Sequence, residues 1–487
     1  MGVESLHPLY AARLDDWVLL EDCYEGERRI KAQGDRYLPP TSAMRANGYG
    51  QSTGLGRVSQ GQAAYDAYRL RAVFPDDLRK AVTGMVGVMH RKPPAVEDLP
   101  PALEPMLERM TIDGESWHLL WKRITAAQLL DGRCGLAVDV PDGASVADAL
   151  PYVVLYGAQA VRNWDAGRPT QSSARRDLQL VVLDETSFEL SPDMQWTPVV
   201  RFRVMSRGAR LEQLGLGGLP DAYVTALVDQ NGELSAAPWV APSIAGNFLR
   251  EIPFVFVNPN DLVPEPDVPP FLGLANQALA VYRGEADYRQ GLHLQSQDTL
   301  VRIGGDADER DVALGAGALI DVPIGGDAKF IGVSATGLSE QRECLQNDRA
   351  KMGEQSMEGL DVGGSADQSG EALRVRVSAR TATLTSMQQA AAGAIRDCLI
   401  HAGRFMGVGE DLLQAIVVKP NTDFSDARVD AASVNALMDA RSKGLPLSDE
   451  SIHAFLQRNE YTTLSFEEEQ RLILARAQQQ QSQTEPA

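Results

Sequence analysis

The chain has 487 residues, 44% of them hydrophobic and 23% charged, which allows about three domains and a large core and excludes wholesale disorder. Lys and Arg number 46 against 66 Asp and Glu, a net charge of −20, and this excludes gripping nucleic acid through clustered cations that neutralise phosphates. No apolar run reaches the ~18 residues of a membrane helix, and the opening "MGVESLHPLYAARLDDW" lacks the apolar stretch of a secretory signal, so a cytosolic chain is expected.

Residues 1–130 read as helical. In "YDAYRLRAVFPDDLRKAVTGMVGVMHRKPP" the positions Leu78, Val82, Met85, Val86 and Met89 recur at a 3–4 spacing until "KPP" stops the helix. "ALEPMLERM" and "SWHLLWKRITAAQLLDGRCG" continue the pattern, with Trp117, Leu120, Trp121, Ile124 and Ala127 on one stripe. From Leu136 the period changes. "GLAVDVP", "PYVVLYG", "LQLVVLDE", "PVVRFRVM", "DAYVTALVD" and "EIPFVFVNP" are short β-branched runs punctuated by Gly, Pro, Asn and Asp, which predicts an antiparallel β-rich unit. "DLVPEPDVPP" then reads as a stiff hinge, and all six tryptophans precede it.

"FLGLANQALAVYRGEADYRQGLHLQSQD" predicts a helix of roughly 25 residues, about 37 Å long. Gly284 and Gly291 lie inside it and suit close helix packing, although each costs about 1 kcal/mol in an isolated helix. The next segment, residues 298–334, reads as a strand, a short helix and two more strands, a module too small for its own core. "LSEQRECLQNDRAKMGEQSMEGL" predicts a second, polar helix with a thin seam at Leu338, Leu345 and Met352, seven residues apart. After the loop "EGLDVGGSADQSGEALR", one helix of ~37 residues would run about 55 Å, with Leu373, Val377, Leu384, Met387, Ala391, Ile395, Cys398 and Phe405 at helical spacing. The fold class is therefore α+β, mainly helical. Ser448, and Ser465 with Glu468, are expected to cap two C-terminal helices.

Chemistry is sparse. Cys23, Cys134, Cys344 and Cys398 are dispersed and read as buried free thiols, and the six histidines form no metal-ligand spacing, so no metal and no cofactor are expected. The glycine loop at 359–371 has no P-loop lysine and follows a helix where a phosphate cradle follows a strand. "DADERD" places Arg310 and Gly317 where an EF-hand loop needs oxygen ligands. No nucleophile motif is present. The remaining alternative is a soluble multidomain enzyme or nucleotide-binding protein.

Taken in order, "HPLYAARLDDWVLLEDCYEGERRIKAQGDRYLPP", "YRLRAVFPDDLRKAVTGMVGVMHRKPP", "LLDGRCGLAVDVP" with "PYVVLYGAQAVRNW", and "IPFVFVNP" before "LANQALAVYRGEADYRQGLH" resemble the portal proteins of tailed bacteriophages. More narrowly, they resemble a portal group known as domain of unknown function 4055. The resemblance implies a non-enzymatic homo-oligomer, usually a dodecamer, at one capsid vertex of the virion, assembled in the host cytoplasm. Residues 1–265 would be the wing, 266–297 and 335–358 the stem helices, and 298–334 the clip. Residues 359–371 would be the tunnel loop, 372–419 a long wing helix, and 420–487 the crown and tail. Double-stranded DNA would pass the loop residues Asp361, Gly363, Gly364, Ser365, Asp367, Gln368 and Ser369 without sequence-specific binding, with Ser369 capping the helix behind them. The clip, through Asp306, Asp308, Glu309, Arg310 and Asp311, would meet terminase and the head–tail adaptor. Capsid and scaffolding proteins are further implied partners, and a membrane is not.

Overall fold

The computed structural model describes residues 2–51, 58–141, 150–167, 177–208, 210–219, 222–235, 238–244, 247–295, 299–303, 325, 327–331, 336–356, 370–422, 424, 438–439, 441, 443, 448–458, 461–462 and 464–474. The chain divides into two compact units, Met1–Thr422 and Asp423–Ala487.

The first unit opens with α1 (Pro8–Glu25), which starts with Pro at its first position and with the His7 ring accepting from Leu9 N at 3.2 Å. Proline costs nothing there because that N–H has no helical partner. α2 (Glu27–Ala32), α3 (Ser42–Ala46), α4 (Gln60–Arg71) and α5 (Asp77–Met89) follow. Thr41 and Ser59 cap α3 and α4 through their hydroxyls. On α5 the expected stripe is buried at Leu78, Val82, Met85 and Met89, while Val86 is only partly covered. β1 (Ala95–Glu97) and α6 (Glu104–Glu108) lead to α7 (Trp117–Asp131), whose stripe Trp117, Leu120, Trp121 and Ile124 is core. α7 stops at Gly132, in the left-handed region at φ 65°, where a Cβ would lie 2.9 Å from the Pro269 backbone. Both the turn and this close approach require glycine there.

All six β-branched runs contain strands, but they do not form one sheet. β2 (Cys134–Asp139), β3 (Tyr152–Gly157) and the distant β12 (Phe254–Val257) make an antiparallel sheet of order β12-β2-β3. β4 (Val161–Asp165), β5 (Leu180–Asp184), β8 (Phe202–Ser206) and β9 (Val224–Val228) make a second, of order β4-β5-β8-β9. Between β5 and β8 the chain leaves that sheet as a hairpin, β6 (Ser187–Leu190) with β7 (Trp196–Val199). α8 (Arg210–Gln213) and the small hairpin β10 (Ser243–Ile244) with β11 (Asn247–Phe248) complete this part. Between α7 and β2, Arg133 is fully buried between the Trp164 and Phe256 rings, 4.1 and 4.6 Å from their centres. Burial, opposed by Cys134 and Glu265, lowers its pKa to about 9.

The proline-rich segment is anchored at its start. Asn258 Nδ2 donates to Asp261 Oδ1, Val263 O and Glu265 O at 2.8–3.0 Å. Gln128, buried on α7, donates to Asn258 O at 2.8 Å and to Met387 O at 3.3 Å. These bonds satisfy backbone groups that the interior would otherwise strand without water.

After this segment come α9 (Leu272–Gln295), β13 (Thr299–Ile303) antiparallel to β14 (Asp327–Ile331), α10 (Thr336–Gln355) and α11 (Gly370–Phe405). α11 has 36 residues, about 54 Å at 1.5 Å each. Its expected stripe is buried at Leu384, Met387, Ala391, Ile395, Cys398 and Phe405. Ala391, Ala394 and Ala402, all fully covered, let neighbouring backbones approach, and this helix shares one core with α7, β2 and β12. α12 (Glu410–Ala415) and β15 (Val417–Lys419) bring the chain back to β1, with Ala95 opposite Lys419.

In the second unit, Ser448 Oγ accepts from Ser451 N at 3.1 Å and caps α13 (Asp449–Arg458). Helix 466–474 has the full capping box: Ser465 N donates to Glu468 Oε2 at 3.0 Å and Glu468 N to Ser465 Oγ at 3.4 Å. One sequence expectation needs correction. Cys23, Cys134 and Cys398 are buried and free, but Cys344 is exposed, because it faces outward on α10, a helix with a single narrow buried seam.

Candidate functional site

The two polar-to-apolar helices α9 and α10 form an antiparallel pair. An ideal Cβ on Gly291 would lie 2.7 Å from Leu338 Cδ2, and one on Gly284 3.0 Å from Leu345 Cδ2. The first is shorter than real Cβ contacts and the second is at their tight limit, so each leucine sits in a notch that glycine leaves open. The glycines are seven residues apart on one helix and the leucines seven apart on the other, a heptad seam of knobs in holes. The two interior glycines, costly to an isolated helix, thus serve close packing, and the thin stripe of α10 is where that packing occurs. Leu345 and Met352 are buried.

A charge cluster spans the same interface. Glu285 on α9 is buried and accepts from Arg289 Nε at 2.6 Å within its helix and from Arg349 Nη2 of α10 at 3.0 Å. A buried carboxylate needs such partners to avoid a desolvation penalty of several kcal/mol. The opposite side of α9 is tied to the N-terminal helices. Tyr68 OH donates to Asp287 Oδ1 at 2.6 Å, Arg283 Nε to Tyr37 O at 2.8 Å, and Arg71 to Gln290. Burial, reinforced by Asp287, raises the Tyr68 pKa, so its phenol stays a donor.

α11 is fixed along its second half. Gln388 Nε2 donates to Met89 O at 3.3 Å, Arg396 to Ile416 O at 2.8 Å and Gln414 O at 3.0 Å, and Arg404 pairs with Glu410 at 2.7 Å and with Glu251. Hydrogen bonds from Arg404 and Gln414 hold the Glu410 pKa down at about 2.

The loop residues Asp361, Gly363, Gly364, Ser365, Asp367, Gln368 and Ser369 lie outside the described residues. So do Asp306, Asp308, Glu309, Arg310 and Asp311. What is described is their mounting: the β13–β14 pair beyond α9, the α9–α10 seam, and α11. Sequence reasoning missed the Glu285–Arg349 clamp, since residues 64 apart carry no local signal of pairing. Among the described residues no group of three or more His, Cys, Asp or Glu is placed to hold a metal ion, and no helix is long and apolar enough to cross a membrane.

Residues 270–406, from the start of α9 to the end of α11, match the family model described as "Domain of unknown function (DUF4055)". This stretch is thus a DUF4055-like domain, as the resemblance implied. No curated protein matches the chain. Among solved structures it is similar to a chain of "Virion of native gene transfer agent (GTA) particle", at 13% identity and TM-score 0.40, over 85% of this chain and 99% of that one. It is also similar to a chain of "Neck of native GTA particle computed with C12 symmetry", at 14% and 0.38, over 78% and 89%. A chain of "Neck of empty GTA particle computed with C6 symmetry" compares at 15% and 0.39, over 78% and 90%.

Proposed function

We propose that the chain is a portal-like subunit, one of a ring at a single capsid vertex through which double-stranded DNA enters and leaves. The observation that carries this reading is the DUF4055-like stretch 270–406 with its order of parts: a seamed helix pair, a two-stranded tip and a helix of 36 residues rooted in the main core. The tip, residues 298–334, is too small to bury a core alone. It gains one when copies stand side by side, and there it docks terminase and later the head–tail adaptor through Asp306, Asp308, Glu309, Arg310 and Asp311. Residues 359–371 lie between the helix pair and α11 and form the loop facing passing DNA, with Asp361, Gly363, Gly364, Ser365, Asp367, Gln368 and Ser369 supplying small, polar or acidic groups. Capsid and scaffolding proteins hold the ring's outer part, residues 1–265.

Charge supports a conduit rather than a binder. At −20 per chain, twelve copies would carry roughly −240 before counterions. An acidic lining repels phosphates, so DNA slides past without releasing counterions or sticking. Electron microscopy of the purified chain tests the reading. Closed rings with a central channel are expected, and a chain that stays monomeric at micromolar concentration overturns it.

A further inference from the structure

We propose that the apolar face of the β6–β7 hairpin is a contact surface for a second copy of this chain, an inference that rests on the ring reading above. In this hairpin Phe188 is opposite Pro198 and Leu190 opposite Trp196. Strand side chains alternate between faces, so these four share one face. Phe188 is 68% exposed, Leu190 53%, Trp196 65% and Met194, in the turn, 83%. At about 200 Å² for a large side chain, roughly 500 Å² of apolar surface faces water, within the range of the largest patch a monomer normally shows. The four paired residues carry no charge. Glu189 lies on the other side and pairs with Arg201 at 2.6 Å.

Among the described residues the hairpin pairs with no third strand, and a two-stranded ribbon is marginal in water unless something packs on it. Its turn holds Met194 at φ 59°, a conformation that costs a non-glycine residue about 1 kcal/mol or more. A large apolar side chain is held at a position where Gly or Asn would be unstrained, and it is the most exposed of the set.

The occupant follows from area and charge. Two surfaces of ~500 Å² bury about 1,000 Å² in all, the lower bound of a specific interface. Copies carrying −20 each repel, so the centre of a copy-to-copy contact has to be uncharged, as these four residues are. In a ring the contact is head to tail: each copy inserts its hairpin into one neighbour and receives another.

Hydroxyl-radical footprinting of the wild-type chain, paired with sedimentation of F188S/W196S, tests this. Met194 and Trp196 are expected to lose reactivity in the assembled fraction relative to monomer. The double variant is expected to unfold as cooperatively as wild type yet to assemble at least about a hundredfold more weakly, since two central aromatic anchors are gone. Rings whose Met194 and Trp196 stay reactive, or a double variant that assembles at wild-type concentrations, overturn the inference and leave the ring standing. A wild-type chain that never assembles overturns both. Should the variant misfold, the wild-type footprint decides alone.

Discussion

His90, at the end of α5, couples stability to pH. Its Nε2 lies 2.9 Å from Thr125 Oγ1, and its ring meets Trp121 edge-on at 6.5 Å. Burial, then Lys122 and His118, lower its pKa from the usual 6.5 to about 4. The unfolded chain takes up this proton near pH 6.5 and the folded chain only near 4. The contribution is therefore fully present above pH 6.5 and lost as pH falls towards 4, about 3 kcal/mol in all. Asp131 works in the opposite sense, because burial raises its pKa to about 7 and its charged form burdens the fold as pH rises. Urea titrations of wild type and H90Q at matched pH cancel that second effect. The wild-type advantage is expected to shrink by roughly 3 kcal/mol between pH 7 and pH 4, and a constant difference would show that the ring is well hydrated. In the sequence, His90 is only the residue before "RKPP". Its neighbours Thr125 and Trp121 come from a helix some thirty positions on, which local pattern does not announce.

Among the elements, the α9–α10 pair makes the sharpest prediction. Gly284→Ala gains helix propensity of about 1 kcal/mol but drives a methyl into Leu345. With Leu345 in place the change is expected to cost about 1–2 kcal/mol net. In a Leu345→Ala background the same change is expected to stabilise by about 1 kcal/mol. A double-mutant cycle by denaturant unfolding reads the sign change, and two values of equal sign would mean the helices do not meet at this glycine. This seam was legible in the sequence because Leu338, Leu345 and Met352 repeat every seven residues and the glycines match that interval. The six strand runs were legible from their β-branched content. Their partners were not, because β12 joins β2 across more than a hundred residues, and pairing at that distance is settled by burial. The β6–β7 hairpin went unread because "SFEL" and "WTPV" are short, and Pro198 interrupts the second.

For the whole molecule, the candidate contact residues at 306–311 and 361–369 stand on resemblance, while the framework around them stands on geometry. Neither stretch carries a hydrophobic period that would mark it from sequence alone. Deleting residues 361–368 tests the DNA-facing role directly: filled heads built with the shortened chain are expected to retain less DNA than wild-type heads, and equal retention would remove the loop from the conduit. The glycine seam limits how the helix pair could move. Sliding α10 along α9 by one turn would pull both leucines out of their notches at once. The next matching position is a full seven residues away, about 10.5 Å, and there Leu338 would meet Gly284 while Leu345 met Gln277 with no notch to enter. The pair thus behaves as a strut of fixed length with a single detent, able to tilt or rotate as one piece but not to telescope, and the register along it is set by two glycine–leucine contacts.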